Sequence, residues 1–405
     1  MASPSSSSGS SDTCMDHQGP RCPCASSSSD WGTDDALSLV AFEMQRPAPD
    51  PRAGAPPPRS IRALLRAAAP GGPGAARLTR LLCLAARRVF AEHADAVLAC
   101  LGVDPSGAGA DGDGGDVFGT FLARVFAMYI NTNLYHNGVH ALDVLLAASS
   151  LVRGGVGRRL SAFDVVAVLL AALAHDVGHF GVSGAPAALG PPGPGRAGSS
   201  SALERFHFET FRRVVQHPES DVLRLLPAKA RAEMLDAVER LILATDVTRH
   251  HHHLDRFLGA EAVARAGRAP GAAGGGGEHL RALVLKFADV SNTCRGVGVA
   301  DEWGRSILLE RRMEAELASG GRGPGRARPP AAADALLGVG EPGDEALVAR
   351  NQYGFVRAVV RPMFDALAPL MHAELREDIR GNLEHNMSSW RRAIDAGRPG
   401  EERCL

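Results

Sequence analysis

Lysine is nearly missing from this chain: of 44 basic residues only Lys229 and Lys286 are lysines, the others being arginines. Acidic residues number 45, so no charge surplus of either sign exists, and the electrostatic footprint of a nucleic-acid or anionic-membrane binder is lacking. Cysteine is scarce too. The seven (14, 22, 24, 83, 100, 294, 404) are irregularly spaced, which argues against a disulfide framework, and Cys22-Pro23-Cys24 has no matching pair for a zinc site. Reduced thiols in a soluble cytoplasmic protein are the expectation. No basic-then-apolar start resembles a signal peptide. The longest clean apolar run, Val165 to Ala174, is ten residues, well short of the roughly 20 that a membrane-spanning helix needs. Convincing alternating strands are absent as well.

What remains is a succession of helical periods. Residues 1 to about 30 are Ser-rich, without apolar period, and read as a disordered tail. From Trp31 a folded region begins, broken by Pro47 to Pro58. Helices are expected over Ile61–Leu65, Leu78–Leu101, Val117–Tyr129, Val139–Val152 and Ala162–His175, the last apolar nearly all round and capped by Ser161. Leu203–Val215, Ala228–Leu243, Leu280–Asp289, Ala300–Leu317, Ala346–Leu370 with a kink at Pro362, and Ala373–Arg392 continue the series. Asp104 to Asp116 is a Gly/Asp loop, and Gly/Pro-rich stretches near 184–200, 267–277 and 319–343 read as surface insertions. The expected architecture is all-α: one compact many-helix bundle over residues 31–398, with its site between helices.

The chemistry concentrates between Tyr135 and His179. His136 and His140 are four apart, as are His175 and His179, so each pair shares a helix face. His175-Asp176 sets an imidazole beside a carboxylate where the apolar run ends. Any one of these histidines alone reads as an ordinary helical residue; together they suit zinc and its neighbours, with a carboxylate able to bridge to a harder ion. Asp289, closing Lys286-Phe287-Ala288-Asp289, reads by itself as a salt-bridged core residue. Joined with His140, His175 and Asp176 it completes a two-His, two-Asp set. Two such metals, bridged by a carboxylate and a hydroxide, clamp a phosphate and attack it in line, and a metal-bound water has its pKa lowered toward ~7, so hydroxide is available at neutral pH. A histidine outside that set then protonates the leaving alkoxide, and His136 is the candidate.

These motifs resemble the catalytic domain of class I 3′,5′-cyclic-nucleotide phosphodiesterases, of the HD superfamily. The pattern Y-H-N-x-x-H-A-x-D-V is matched by Tyr135 to Val144, H-D-x-x-H-x-G by His175 to Gly181, and A-D-hydrophobic-S-N by Ala288 to Asn292. Q-x-G-F is Gln352 to Phe355, A-T-D-x-x-x-H is Ala244 to His250, and L-E-x-x-H is Leu203 to His207. The resemblance implies an all-α fold and a metal-dependent hydrolase of cAMP, cGMP or both. It implies that His140, His175, Asp176 and Asp289 hold zinc, that Asp176 bridges to magnesium or manganese, and that His136 is the general acid. His179, Glu204 and Thr245 would orient waters on the second metal, while Gln352, Phe355, Ile307 and Asn292 would contact the purine.

Departures from the pattern fall around the second metal and the pocket rim. Gly178 replaces an Asp, Phe180 a Pro and Gly184 an Asn, and Leu309-Glu310-Arg311-Arg312 stands where Glu-Glu-Phe-Phe is usual. They motivate a rival reading: a catalytically weakened relative that binds cyclic nucleotide, or a protein partner, as a regulator. Another HD-type phosphohydrolase is a third reading, against which Gln352-x-Gly354-Phe355 counts. Among the run His250 to His253, the last three are expected to be solvated, since only the first matches a motif position.

Overall fold

A computed structural model describes residues 73–106, 115–181, 201–265, 275–318 and 342–397. The Ser-rich tail, the segment from Trp31, the Ile61–Leu65 helix, most of the Gly/Asp loop and most of the three Gly/Pro-rich stretches lie outside them. The described chain is built of helices and contains no strand among the described residues. In order these are α1 (Pro73–Ala91), α2 (Ala94–Leu101), α3 (Val117–Met128), α4 (Gly138–Arg153) and α5 (Ala162–Ala174). After them come α6 (Ala202–Gln216), α7 (Ala228–Ala244), α8 (His250–Arg265), α9 (Gly275–Val290) and α10 (Val297–Ala318). Three more, α11 (Pro342–Phe355), α12 (Arg361–Leu367) and α13 (Ala373–Ala396), finish the chain. None of the described helices is long and apolar enough to cross a membrane.

α5 is the axis of the bundle. Ser161 accepts from the Asp164 amide while the Asp164 side chain accepts from the Ser161 amide, a capping box that fixes where the helix starts. Every residue from Val165 to Ala174 is buried, because α4, α7 and α9 pack around it. A helix enclosed on all sides gains nothing from a polar stripe, hence its unbroken apolar sequence. α4 is the second buried helix. Its N-cap, Asn137, accepts from the amides of Val139 (2.9 Å) and His140 (3.1 Å), so the first turn that carries His140 is pinned. On the outer flank, Phe118 and Phe121 of α3 meet Phe90 and Phe211 edge-on, with ring centroids 5.1 and 6.2 Å apart.

Three local differences from the periodicity have physical causes. The apolar pattern over Leu78–Leu101 is split into α1 and α2 because Glu92 and His93 reach across to α4, binding Arg153 (2.7 Å) and Ser149 (2.8 Å). α8 carries no helical signature in sequence, since its histidines dilute the stripe formed by buried Leu254 and Phe257. The helix expected over Ala346–Leu370 is continuous only with a π-helical stretch, Val356–Val360, between α11 and α12. Pro362 follows that stretch and has no amide to donate back, which accounts for the break in the ladder.

Between α4 and the start of α10 lies a buried ion pair. Asp143 Oδ1 sits 2.9 Å from Arg295 Nη2, with both side chains at most 5 % exposed, and Asn386 of α13 donates to the Arg295 carbonyl (2.7 Å). Removing one partner leaves a charge uncompensated, so Asp143→Ala is expected to destabilise the chain by about 3–5 kcal/mol, read as a drop in the denaturant midpoint.

Candidate active site

The ends of three buried helices deliver the charged groups. His140 lies in the first turn of α4, His175 and Asp176 follow α5 directly, and Asp289 is the penultimate residue of α9. His140 Nε2 is 3.1 Å from Asp289 Oδ1 and 3.6 Å from Asp176 Oδ2; His175 Nε2 is 3.1 Å from Asp176 Oδ2 and 3.3 Å from Asp289 Oδ1. The other oxygen of Asp176 faces a further histidine, with His207 Nε2 3.8 Å from Oδ1. Both imidazoles of the first set are buried, and the Nε2 atoms of His175 and His207 make no hydrogen bond. Buried imidazole nitrogens aimed at carboxylates without a proper hydrogen bond are what a divalent cation would use. His175 Nδ1 lies 3.0 Å from the Ala172 carbonyl, which fixes its tautomer and leaves Nε2 for that role.

Charge balance points the same way. Burial disfavours the imidazolium of His175, yet the adjoining carboxylates of Asp176 and Asp289 outweigh it and drive its pKa well above the ordinary value. Burial likewise opposes ionisation of the two aspartates, but His175 holds both well below the usual range. Positive charge is demanded at the centre of this quartet, whether supplied by protons or by a metal ion.

Beside it stands a second group. His136 Nδ1 contacts Glu310 Oε1 closely, and the amides of Tyr135 (2.8 Å) and His136 (3.2 Å) donate to Glu310 Oε2. The ring of His179 stacks on that of His136 with centroids 4.0 Å apart. Burial alone would lower the His136 pKa, but Asp176 and Glu310 raise it above its ordinary value. Burial and the neighbouring His136 hold His179 at about 3.

The sequence profile of the 3′,5′-cyclic nucleotide phosphodiesterases matches residues 135–380, which take in every group just described. The chain belongs to that family. Among its relatives, the 3′,5′-cyclic-AMP phosphodiesterase 4 of Dictyostelium discoideum is 30% identical over 149 residues, covering 35% of this chain and 14% of that protein. The high affinity cGMP-specific 3′,5′-cyclic phosphodiesterase 9A of Mus musculus is 26% identical over 247 residues, covering 59% and 42%. The chain thus spans well under half the length of these curated relatives. In fold it is similar to the phosphodiesterase domain of a rhodopsin phosphodiesterase fusion from Salpingoeca rosetta (TM-score 0.60, 21% identity, covering 78% of this chain and 92% of that one). It is similar too to LmjPDEB1 in complex with IBMX (TM-score 0.61, 18% identity, covering 82% and 91%).

The remaining expected site residues of this family member are distributed unevenly. Glu204 is half-buried, and burial pushes its carboxyl up to about 7. Thr245 spends its hydroxyl proton on the Ile242 carbonyl (2.8 Å), closing α7. Gln352 is buried and donates through Nε2 to the Ala300 carbonyl (3.0 Å). It fits there because Gly304 has no side chain: a Cβ would come within 2.8 Å of the amide carbon. Phe355 and Ile307 are half-buried, and Asn292 commits its amide nitrogen to the Tyr135 hydroxyl (2.9 Å). One expectation is corrected: His251 and His252 are exposed, but both ring nitrogens of His253 are buried without partners, because α8 packs this turn against α9.

Glu310 and His207 are functional candidates to which motif reading gave no role. Glu310 falls seven residues after Trp303, two helical turns on the same face, a spacing that could have drawn attention to it. Of the departures, Gly178 adopts a φ of +80°, a conformation open to glycine, and a Cβ there would lie 3.1 Å from the Phe206 ring. Asp289→Asn, which weakens the central negative charge, is expected to lower the divalent metal retained per chain after gel filtration, measured by elemental analysis.

Proposed function

We propose that this chain hydrolyses 3′,5′-cyclic nucleotides, cAMP and/or cGMP, to 5′-nucleoside monophosphates, within a catalytic region of about residues 31–398. The observation that carries the proposal is the convergence of His140, His175, Asp176 and Asp289 beside the His136–Glu310 pair. The four residues would hold a zinc-like ion. Asp176, with one oxygen toward His140 and His175 and the other toward His207, would share a second ion, magnesium or manganese. Such ions supply Lewis acidity toward the phosphate and the attacking water.

The chain's own residues account for the proton. Water gives up one proton and forms the new P–O bond, the P–O3′ bond breaks, O3′ takes a proton from His136, and the proton released by water restores His136 through solvent. Glu310 is suited to hold that proton donor ready. Burial pushes the Glu310 carboxyl up, but the His136 contact and the Tyr135 amide bring it below its usual range, so it stays anionic. With Nδ1 committed to Glu310, Nε2 of His136 is left for the substrate. His179, Glu204 and Thr245 would order water near the second ion, and Gln352 would meet the purine edge between Phe355 and Ile307, with Asn292 near it.

A second reading, nucleotide binding without turnover, is favoured by one feature. Phe180 and Phe206 pack 5.0 Å apart beside Gly178, so aromatic carbon fills the space where the family pattern has an Asp side chain. Rates on both cyclic nucleotides with zinc and magnesium separate the two: turnover supports the first reading, and binding alone the second. His136→Ala should lower kcat by roughly 10²–10⁴-fold with metal content unchanged. A general acid works below its pKa, so activity should fall as pH rises through that of His136. Glu310→Gln removes a group that raises this pKa, and should therefore move the basic limb of the kcat profile to lower pH.

A further inference from the structure

The loop before α4 contains a side chain to which the motifs assign nothing. Asn133 lies three residues before His136, and its Nδ2 is 2.8 Å from the carbonyl of His136 and 2.7 Å from the carbonyl of His179. A primary amide has two N–H bonds, and here both go to backbone carbonyls on two loops that are far apart in sequence. The residue is itself held. Its amide donates to the Ile130 carbonyl (3.0 Å) and its carbonyl accepts from Asn137 Nδ2 (3.0 Å). Asn137 also caps α4, whose first turn carries His140. One hydrogen-bonded relay therefore runs from the α4 cap through Asn133 to the proton-donor loop and to the loop after Asp176.

We propose that Asn133 is a positioning residue for proton transfer: by clamping the two carbonyls it holds His136 against Glu310 and stacked on His179. The consequence for catalysis rests on the proposed phosphodiesterase reaction, whereas the clamp itself does not. Glu310 reaches only one face of this assembly, through the amides of Tyr135 and His136. Among the described residues, Asn133 is what ties the His179 backbone to the His136 backbone, the remaining contact being between the two rings, and Gly181, which follows, has a φ of +74°. The pocket admits little else, since a Cβ on Gly181 would sit 2.8 Å from Asn133 Oδ1. Aspartate has the same shape but no donor, and would set a carboxylate against two carbonyl oxygens.

Asn133→Asp and Asn133→Ala in the full chain test this. Expected are a fall in kcat of about ten- to a hundredfold, a KM within about twofold of the parent, unchanged zinc content, and a basic limb of the pH profile moved to lower pH. In histidine-labelled protein, the nuclear Overhauser contact between the His136 and His179 rings should weaken in both variants. An unchanged kcat and pH profile, or a preserved ring contact in both variants, overturns the proposal. If the parent chain shows no turnover, the proposed reaction fails and the ring contact alone decides the clamp; if aspartate prevents folding, the alanine variant decides.

Discussion

The arrangement depends on an electrostatic constraint: Asp176 and Asp289 sit deep among helices, and each can remain ionised there only opposite concentrated positive charge. Coulomb attraction at about 3 Å in a poorly solvated interior is strong, but so is the desolvation of every partner. The quartet resolves this by sharing. His175 lies within 3.3 Å of both carboxylates, and His140 closes the other side. Placing such a set at helix ends leaves the apolar middles of α4, α5 and α9 free to fill the core. The fold can thus be read as a device for bringing buried charge to one point without burying unpaired charge elsewhere.

The same economy explains the neighbours. Lys286, one of the two lysines, is buried and donates to the carbonyls of Ala244 (2.6 Å) and Asp246 (3.0 Å) at the end of α7. Burial lowers its pKa to about 8, although Asp289, Asp246 and Glu204 favour the charged form. It therefore ties α7 to α9 and places a cation beside a carboxylate-rich wall. Ser201 adds a hydrogen bond to Asp246 (2.7 Å), joining the start of α6 to the same corner.

Much of this was legible in sequence. The all-α class followed from helical periods, and α5 from its apolar run. His140, His175 and Asp176 announced themselves by clustered histidines and a His-Asp step and come together, although His136 and His179 lie in loops before α4 and after α5 rather than on a shared helix face. The reading failed where meaning lies in contacts distant along the chain. His136 and Glu310 are 174 positions apart, and although the spacing from Trp303 could mark Glu310, nothing local names that ring as its partner. Asn133 is similar, because its role lies in two backbone carbonyls, which have no letter in the sequence. α8 was missed for another reason: with only Leu254 and Phe257 among the apolar residues of its first turns buried, its stripe is too thin to show.

The π-helical stretch at Val356–Val360 has a consequence for the pocket's geometry. A π-turn stores one residue more than an α-turn requires, so it absorbs that residue without rotating the helix carrying Gln352 and Phe355 relative to the helix that buries Met363 and Phe364. Excising a single residue from the regular α-helical winding on either side would instead swing the upstream face by about 100° around the axis. The Gln352 amide would then turn away from Gly304 and Ala300, while the hydrophobic anchor downstream stayed in register. The residues proposed to meet the purine and those that pack the core share one continuous rod here, and the wide turn takes up a surplus residue without putting the two out of phase.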